Sequence, residues 1–241
     1  MDLGLKGKVV VIIGSSRLPV DLEKIIIEKL IEELTIPVIL ENSDTSLDIV
    51  KRIQFAGNRA TYYETDLDDS MSIEIAISII SNNYSGIDFI ININNLYEKI
   101  GIETLMDESV MSLNLVQGNL ISDADGRLNV FNHSKGSVLF IRCGVPIISQ
   151  ENLSLNNHLM LIAEDFKEKK FEDSIRVNQL IISQNFFNEE NNFIKEKDKQ
   201  EAIADICLVL VATNMSNSGK QILCNEDNLH YLNDGFSYLN G

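Results

Sequence analysis

Apolar positions along this chain follow two alternating rhythms. Short β-branched runs at residues 8–13, 36–40, 60–63 and 87–93 predict strands buried on both faces. Between them, residues 21–34 place Leu22, Ile25, Ile26 and Leu30 at helical spacing, and residues 46–56 and 70–80 read as two further helices. The order is βαβαβ, and it continues. A long helix is expected over 108–131, a strand over 137–141, a helix over 153–167, a strand over 175–182, a helix over 199–212 and a strand over 221–224.

Continuously apolar strands flanked by helices imply a parallel sheet covered on both faces. Right-handed crossovers make it doubly wound, a Rossmann-like α/β fold of three αβα layers. No repeat or low-complexity block interrupts residues 1–241, so a single domain is expected, at a length that α/β units commonly reach. The polar, Asn-rich stretch 184–192 reads as a loop between strand and helix. Ligands in such sheets bind beyond the carboxyl ends of the strands, where strand order reverses, so chemistry is expected at that edge.

Composition narrows the partners. A net charge of −16 opposes phosphate backbones and anionic membrane surfaces, which excludes nucleic acid and lipid as expected partners. Hydrophobic residues make up 44% and charged residues 23% of the chain, enough for a core without metals or disulfides. Cys143, Cys207 and Cys224 lie in apolar surroundings without the close spacing of a metal or redox motif, and read as buried, reduced thiols. The first eight residues lack the pattern of a secretory signal, and no apolar run approaches ~18 residues, so a cytoplasmic location is expected.

Several phrases, in order, carry a resemblance: Leu5-Lys6-Gly7-Lys8-Val9-Val10-Val11-Ile12-Ile13-Gly14-Ser15-Ser16-Arg17, Thr65-Asp66-Leu67, Gly86-Ile87-Asp88-Phe89-Ile90-Ile91-Asn92, Leu113-Asn114-Leu115, Gly136-Ser137-Val138, Ile175-Arg176-Val177-Asn178 and Ala202-Ile203-Ala204-Asp205. Over essentially its whole length the chain resembles the short-chain dehydrogenase/reductase family, in particular members of the 3-oxoacyl-acyl-carrier-protein reductase type. The resemblance implies an oxidoreductase framework built to hold NAD or NADP.

The family's first strand ends in T-G-x-x-x-G-x-G, whose backbone N–H groups and following helix hold the cofactor pyrophosphate. Here the stretch is Ile13-Gly14-Ser15-Ser16-Arg17-Leu18-Pro19-Val20, so Gly14 matches the first glycine while Leu18 and Val20 replace the other two. Each brings a Cβ where glycine permits close approach, and Pro19 has no N–H to donate. Pro19 is expected at the first helical position, with Asp21 capping the helix start. The helix is read as capped from within.

Other cofactor positions are better kept. The resemblance places Glu41 at the acidic position that binds an adenosine ribose, favouring NAD over NADP. It places Asp66 and Leu67 at the adenine-contacting pair, and Asn92 at the first asparagine of N-N-A-G.

Catalysis in the family uses a tyrosine, a lysine four residues later, a serine and an asparagine. Registered on Ile175-Arg176-Val177-Asn178, the tyrosine position falls at Asn152, the lysine position at Asn156 and the serine position at Cys143; Asn114 alone is retained. No slip restores the pair, because no tyrosine lies between Tyr97 and Tyr231 and no lysine between Lys135 and Lys167. Neither amide transfers a proton near neutral pH.

No replacement site stands out. Tyr97 and Lys99 read as a surface turn, and His133, His158 and His230 lack metal-ligand spacing, so no metal is expected. The resulting expectation is a catalytically inactive family member without cofactor, NAD(H) if any, acting as a structural or regulatory subunit. The resemblance implies a homodimer or homotetramer through the helices over 108–131 and 153–167, the second with an apolar stripe of Leu155, Leu159, Ile162, Ala163 and Phe166, or a mixed assembly with an active reductase. The alternative is an NAD-dependent oxidoreductase acting on a carbonyl or hydroxyl through an atypical site.

Overall fold

Val-Val-Val-Ile-Ile at Val9–Ile13 (β1) is buried at every position, as a central strand covered on both faces must be. The computed structural model describes residues 3–15, 18–67, 69–95, 136–145, 175–183, 186, 196–212 and 221–224. After β1 come α1 (Val20–Glu32), β2 (Ile36–Glu41), α2 (Asp44–Phe55), β3 (Thr61–Glu64), α3 (Ser70–Tyr84), β4 (Phe89–Asn95), β5 (Gly136–Val145), β6 (Ile175–Ser183), α4 (Glu196–Val211) and β7 (Gln221–Cys224). All seven strands are parallel, in the order β3-β2-β1-β4-β5-β6-β7. The α/β sandwich read from the sequence is the fold observed. The expected helices over 108–131 and 153–167 and the loop 184–192 lie outside the described residues.

Local chemistry sets the element ends. Ser43 is the N-cap of α2, its hydroxyl accepting from the Ser46 N–H at 3.4 Å, so that helix begins two residues before the expected start. Asp69 does the same for α3, accepting from Met71 N–H at 3.0 Å. β5 runs to Val145, past the expected end at Ile141, with a register shift between Cys143 and Val145.

The core has two halves, one on each face of the sheet. Val10, Ile12, Ile39 and Ile91 pack with Leu22, Ile26 and Leu30 of α1, with α2, and with Ile203, Cys207 and Leu210 of α4. Val9, Val11, Val38 and Ile90 pack on the other side with Ile73, Ile77 and Ile80 of α3. Since β2 and β7 lie on opposite sides of β1, a shared face for α1 and α4 gives the β6-α4-β7 connection the opposite hand to β1-α1-β2. The expectation of right-handed crossovers throughout fails at this last unit.

Polar contacts hold α4 there. Lys29 of α1 pairs with Asp205 of α4. The carbonyls ending α4 are satisfied by the sheet: Ser137 Oγ and Asn178 Nδ2 donate to Leu210 O at 3.4 and 3.2 Å, and an Arg176 guanidinium nitrogen donates to Val211 O at 3.0 Å. Among the described residues, no helix is long and apolar enough to cross a membrane.

Candidate functional site

Strand order reverses between β1 and β4, so the candidate site is the corner beyond their carboxyl ends, bordered by the β1-α1 turn and the end of β2. Gly14 closes β1 with φ 74°, a left-handed conformation that suits glycine, and its N–H donates to Leu40 O at 3.3 Å. The Leu18 N–H then donates to Ser15 O at 3.0 Å, closing a tight turn. Both amides are therefore engaged within the chain.

Leu18 is 5% exposed and belongs to the core with Leu22 and Ile26. Pro19 is the N-cap, extended at ψ 135°, so it stands one residue before the first helical position expected for it. Asp21 is exposed in the first turn and accepts no hydrogen bond there among the described residues, which corrects the expectation that it caps α1. With α1 starting only at Val20, the Asp21 side chain is carried outward to water.

The acid that does enter the corner is Glu23, which the sequence reading missed. It is 1% exposed, and its Oε1 accepts from Ser15 Oγ at 2.8 Å. Burial raises its carboxyl above the usual range, the nearby Ser46 and Ser15 hydroxyls oppose that rise, and the charge of Glu41 adds to it. Glu23 Oε2 and Ser46 Oγ are both buried without a regular hydrogen bond among the described residues. The Ser46 hydroxyl therefore acts on the carboxyl at distorted geometry, favouring its charged form without a well-formed bond. A signal was available: Glu23 lies three and four residues before the buried Ile26 and Ile27, on the apolar face of α1.

Glu41 ends β2 where the family's ribose-binding acid is expected; it is buried, and its Oε1 accepts from Asn42 N–H at 3.1 Å. Tyr62 of β3 lies nearby, with its hydroxyl accepting from Ser43 N–H at 2.9 Å and donating to Ser43 O at 3.2 Å. Burial raises its phenol, the bond to the Ser43 backbone opposes, and the acids Glu41, Glu64 and Asp44 add to the rise. The β2-β3 side of the corner is thus acidic.

Asp66 and Leu67 follow β3. Asp66 is exposed, its N–H donating to Ser72 Oγ at 3.0 Å, while Leu67 packs partly against the α3 half of the core. Asn92 of β4, beside Ile13 of β1 and Phe140 of β5, is buried on the α3 face, and its Nδ2 has no hydrogen-bond partner among the described residues. Cys143 stands at the carboxyl end of β5, beside Asn95 and Ile182 and next to the bulge. Asn114, Asn152, Asn156, Tyr97, Lys99 and the three histidines lie outside the described residues. The structure brings Gly14, Glu41 and Asn92 to one edge, and adds Glu23, Ser15 and Ser46 between the first two.

No protein-family model matches the chain. No curated protein matches it in sequence. Among solved structures, it is similar to a hydroxysteroid dehydrogenase from Escherichia coli, with TM-score 0.69 and 16% identity over 93% of this chain and 97% of that one. It is also similar to a short-chain dehydrogenase/reductase from Burkholderia xenovorans, with TM-score 0.67 and 13% identity over 92% and 96%. L-Sorbose reductase from Gluconobacter frateurii, solved with NADPH and L-sorbose, gives TM-score 0.66 and 15% identity over 92% and 97%. The chain has the fold of the short-chain dehydrogenase/reductases over nearly its full length.

Proposed function

We propose that this chain is a member of the short-chain dehydrogenase/reductase family that no longer turns over a nicotinamide cofactor and acts in the cytoplasm as a structural or regulatory subunit. The observation that carries this reading is the Glu23 carboxyl, buried against Ser15 at the corner that a pyrophosphate would enter. In its charged form this acid opposes each phosphate charge by about 3 kcal/mol at ~5 Å and an effective dielectric of ~20, and it holds the Ser15 hydroxyl that could otherwise donate to a phosphate. Leu18 supports the same reading, because a core side chain stands where glycine would leave the backbone open to a ligand. The residues of this corner do not fit a pyrophosphate.

Asn152 and Asn156 at the positions of the family's tyrosine and lysine add that no proton donor of that kind is in place. Assembly as a homodimer or homotetramer through residues 108–131 and 153–167, or with an active reductase, follows from the family resemblance. Titrating the full chain with NADH and NADPH under nicotinamide fluorescence is expected to give no saturation at micromolar cofactor. Saturation there overturns the reading.

Glu41 and Asn92 favour a second reading, an NAD-dependent oxidoreductase with an atypical site. A buried amide donor without a partner among the described residues suits an acceptor on a ligand. Under that reading NADH saturates, NADPH does not, and a carbonyl or hydroxyl compound is turned over.

A further inference from the structure

Phe55, the last residue of α2, is 96% exposed. Beside it, α1 and α2 leave a groove of about 550 Å³, lined from Lys24 of α1 to Asn58 after α2. Ile31, Ile49 and Ile53 line its floor. Arg52 and Ala56 of that lining place the groove on one side of α2, and at 100° per residue Phe55 lies ~60° around the helix from Arg52 and ~100° from Ala56. Phe55 is not among the residues lining the groove and stands almost fully in water, so it does not fill its own groove. A knob and a hole lie next to each other on one surface, the arrangement a two-fold axis satisfies twice.

The charges at the rim agree. Lys24 and Arg52 face the groove together with Glu28 and Glu32, so the rim is balanced in a chain of net charge −16. Two copies repel over most of their surface, and a neutral patch is where they can meet. Lys24 already pairs with Glu28 at 3.7 Å, whereas Arg52 and Glu32 make no ion pair among the described residues. A two-fold axis through this face would let Arg52 of each copy meet Glu32 of the other.

We infer that the α1-α2 face is a self-association surface, with Phe55 of one copy seated in the groove of a second and Arg52 paired with the second copy's Glu32. This surface is separate from the helices invoked above for assembly, and its test does not depend on cofactor binding. Sedimentation of the full chain over a concentration series is expected to show association that Phe55→Glu weakens roughly tenfold or more, as for a buried aromatic anchor. Arg52→Glu and Glu32→Arg are each expected to weaken it. Mixing those two single variants, or combining both changes in one chain, is expected to restore it, which a merely structural role would not do. Circular dichroism checks that each variant folds; should Phe55→Glu misfold, the charge exchange decides.

A chain that stays monomeric at every accessible concentration overturns the inference. So does association that none of these variants moves, or a groove that proves to take a small molecule or an unrelated protein while the chain remains monomeric.

Discussion

Ser15 Oγ donates a 2.8 Å hydrogen bond to Glu23 Oε1, joining the turn after β1 to the interior face of α1 with both residues buried. The bond spans the corner beyond the carboxyl end of β1, where strand order reverses. Its chemistry is that of a carboxyl held short of water, and several measurable consequences follow from that and from its neighbours.

The first concerns pH. Burial raises the Glu23 carboxyl above its ordinary 4.5, so the folded chain retains a proton that the unfolded chain releases. The stability linked to that proton is fully present below about 4.5 and is lost as pH rises through the folded value. Glu23→Gln keeps the shape and an acceptor for Ser15 but removes the ionisation. Melting curves from acidic to mildly alkaline pH are expected to show the wild type falling relative to the variant, the gap reaching on the order of 1–3 kcal/mol. Parallel curves would mean that Glu23 is not the titrating group.

Leu18 tests the turn itself. In a working cofactor loop glycine at this position would be the native choice, but here Leu18 belongs to the core. Leu18→Gly is expected to cost about 2–5 kcal/mol in urea unfolding, through the cavity it leaves, and to confer no NADH binding. A stabilised variant would contradict the packing assigned to Leu18.

Much of this fold was legible in the alternation of strand and helix patterns, because β1, β2 and β4 are apolar at nearly every position. What escaped depended on neighbours distant in sequence. The extension of β5 through Arg142 and Gly144 has no strand-like pattern, and its pairing with β6 supplies the order. The face chosen by α4 rests on Lys29 and on the sheet groups that meet its last carbonyls. Gly14 follows β1, Glu41 ends β2 and Asn92 lies in β4, as the strand pattern predicts, whereas Glu23 was overshadowed by Asp21. An acid between Leu22 and Lys24 reads as solvated until the rotation of α1 against the sheet is known.

The end of α1 offers an independent check on backbone strain. Leu34 follows the helix with φ 60°, in the left-handed region, while its N–H donates to Ile31 O at 2.8 Å and Thr35 N–H reaches Leu30 O at 3.1 Å. Glycine occupies this conformation without the Cβ clash, and Leu34 is exposed, so little packing is lost. Leu34→Gly is expected to stabilise the chain by about 0.5–1 kcal/mol in urea unfolding, the relief being partly offset by added freedom in the unfolded chain.

Cysteine reactivity gives a further readout. Cys207 and Cys224 are fully buried thiols outside any disulfide, and burial pushes the Cys224 thiol up to about 12. Neither is expected to react with an aromatic disulfide reagent at mildly alkaline pH until the chain unfolds, and mass spectrometry of labelled peptides locates any modification. Labelling of Cys224 in the folded chain would require that β7 opens.

The ion pair between Lys29 and Asp205 joins residues 176 positions apart. At ~5–20 residues per second, a ribosome takes roughly 9–35 s to make the chain between them. Throughout that interval the side of α1 that α4 will cover has no partner, so the nascent chain presents an apolar helix face to the surrounding cell. A pause in translation before Asp205 lengthens the time for which that face of α1 waits for α4.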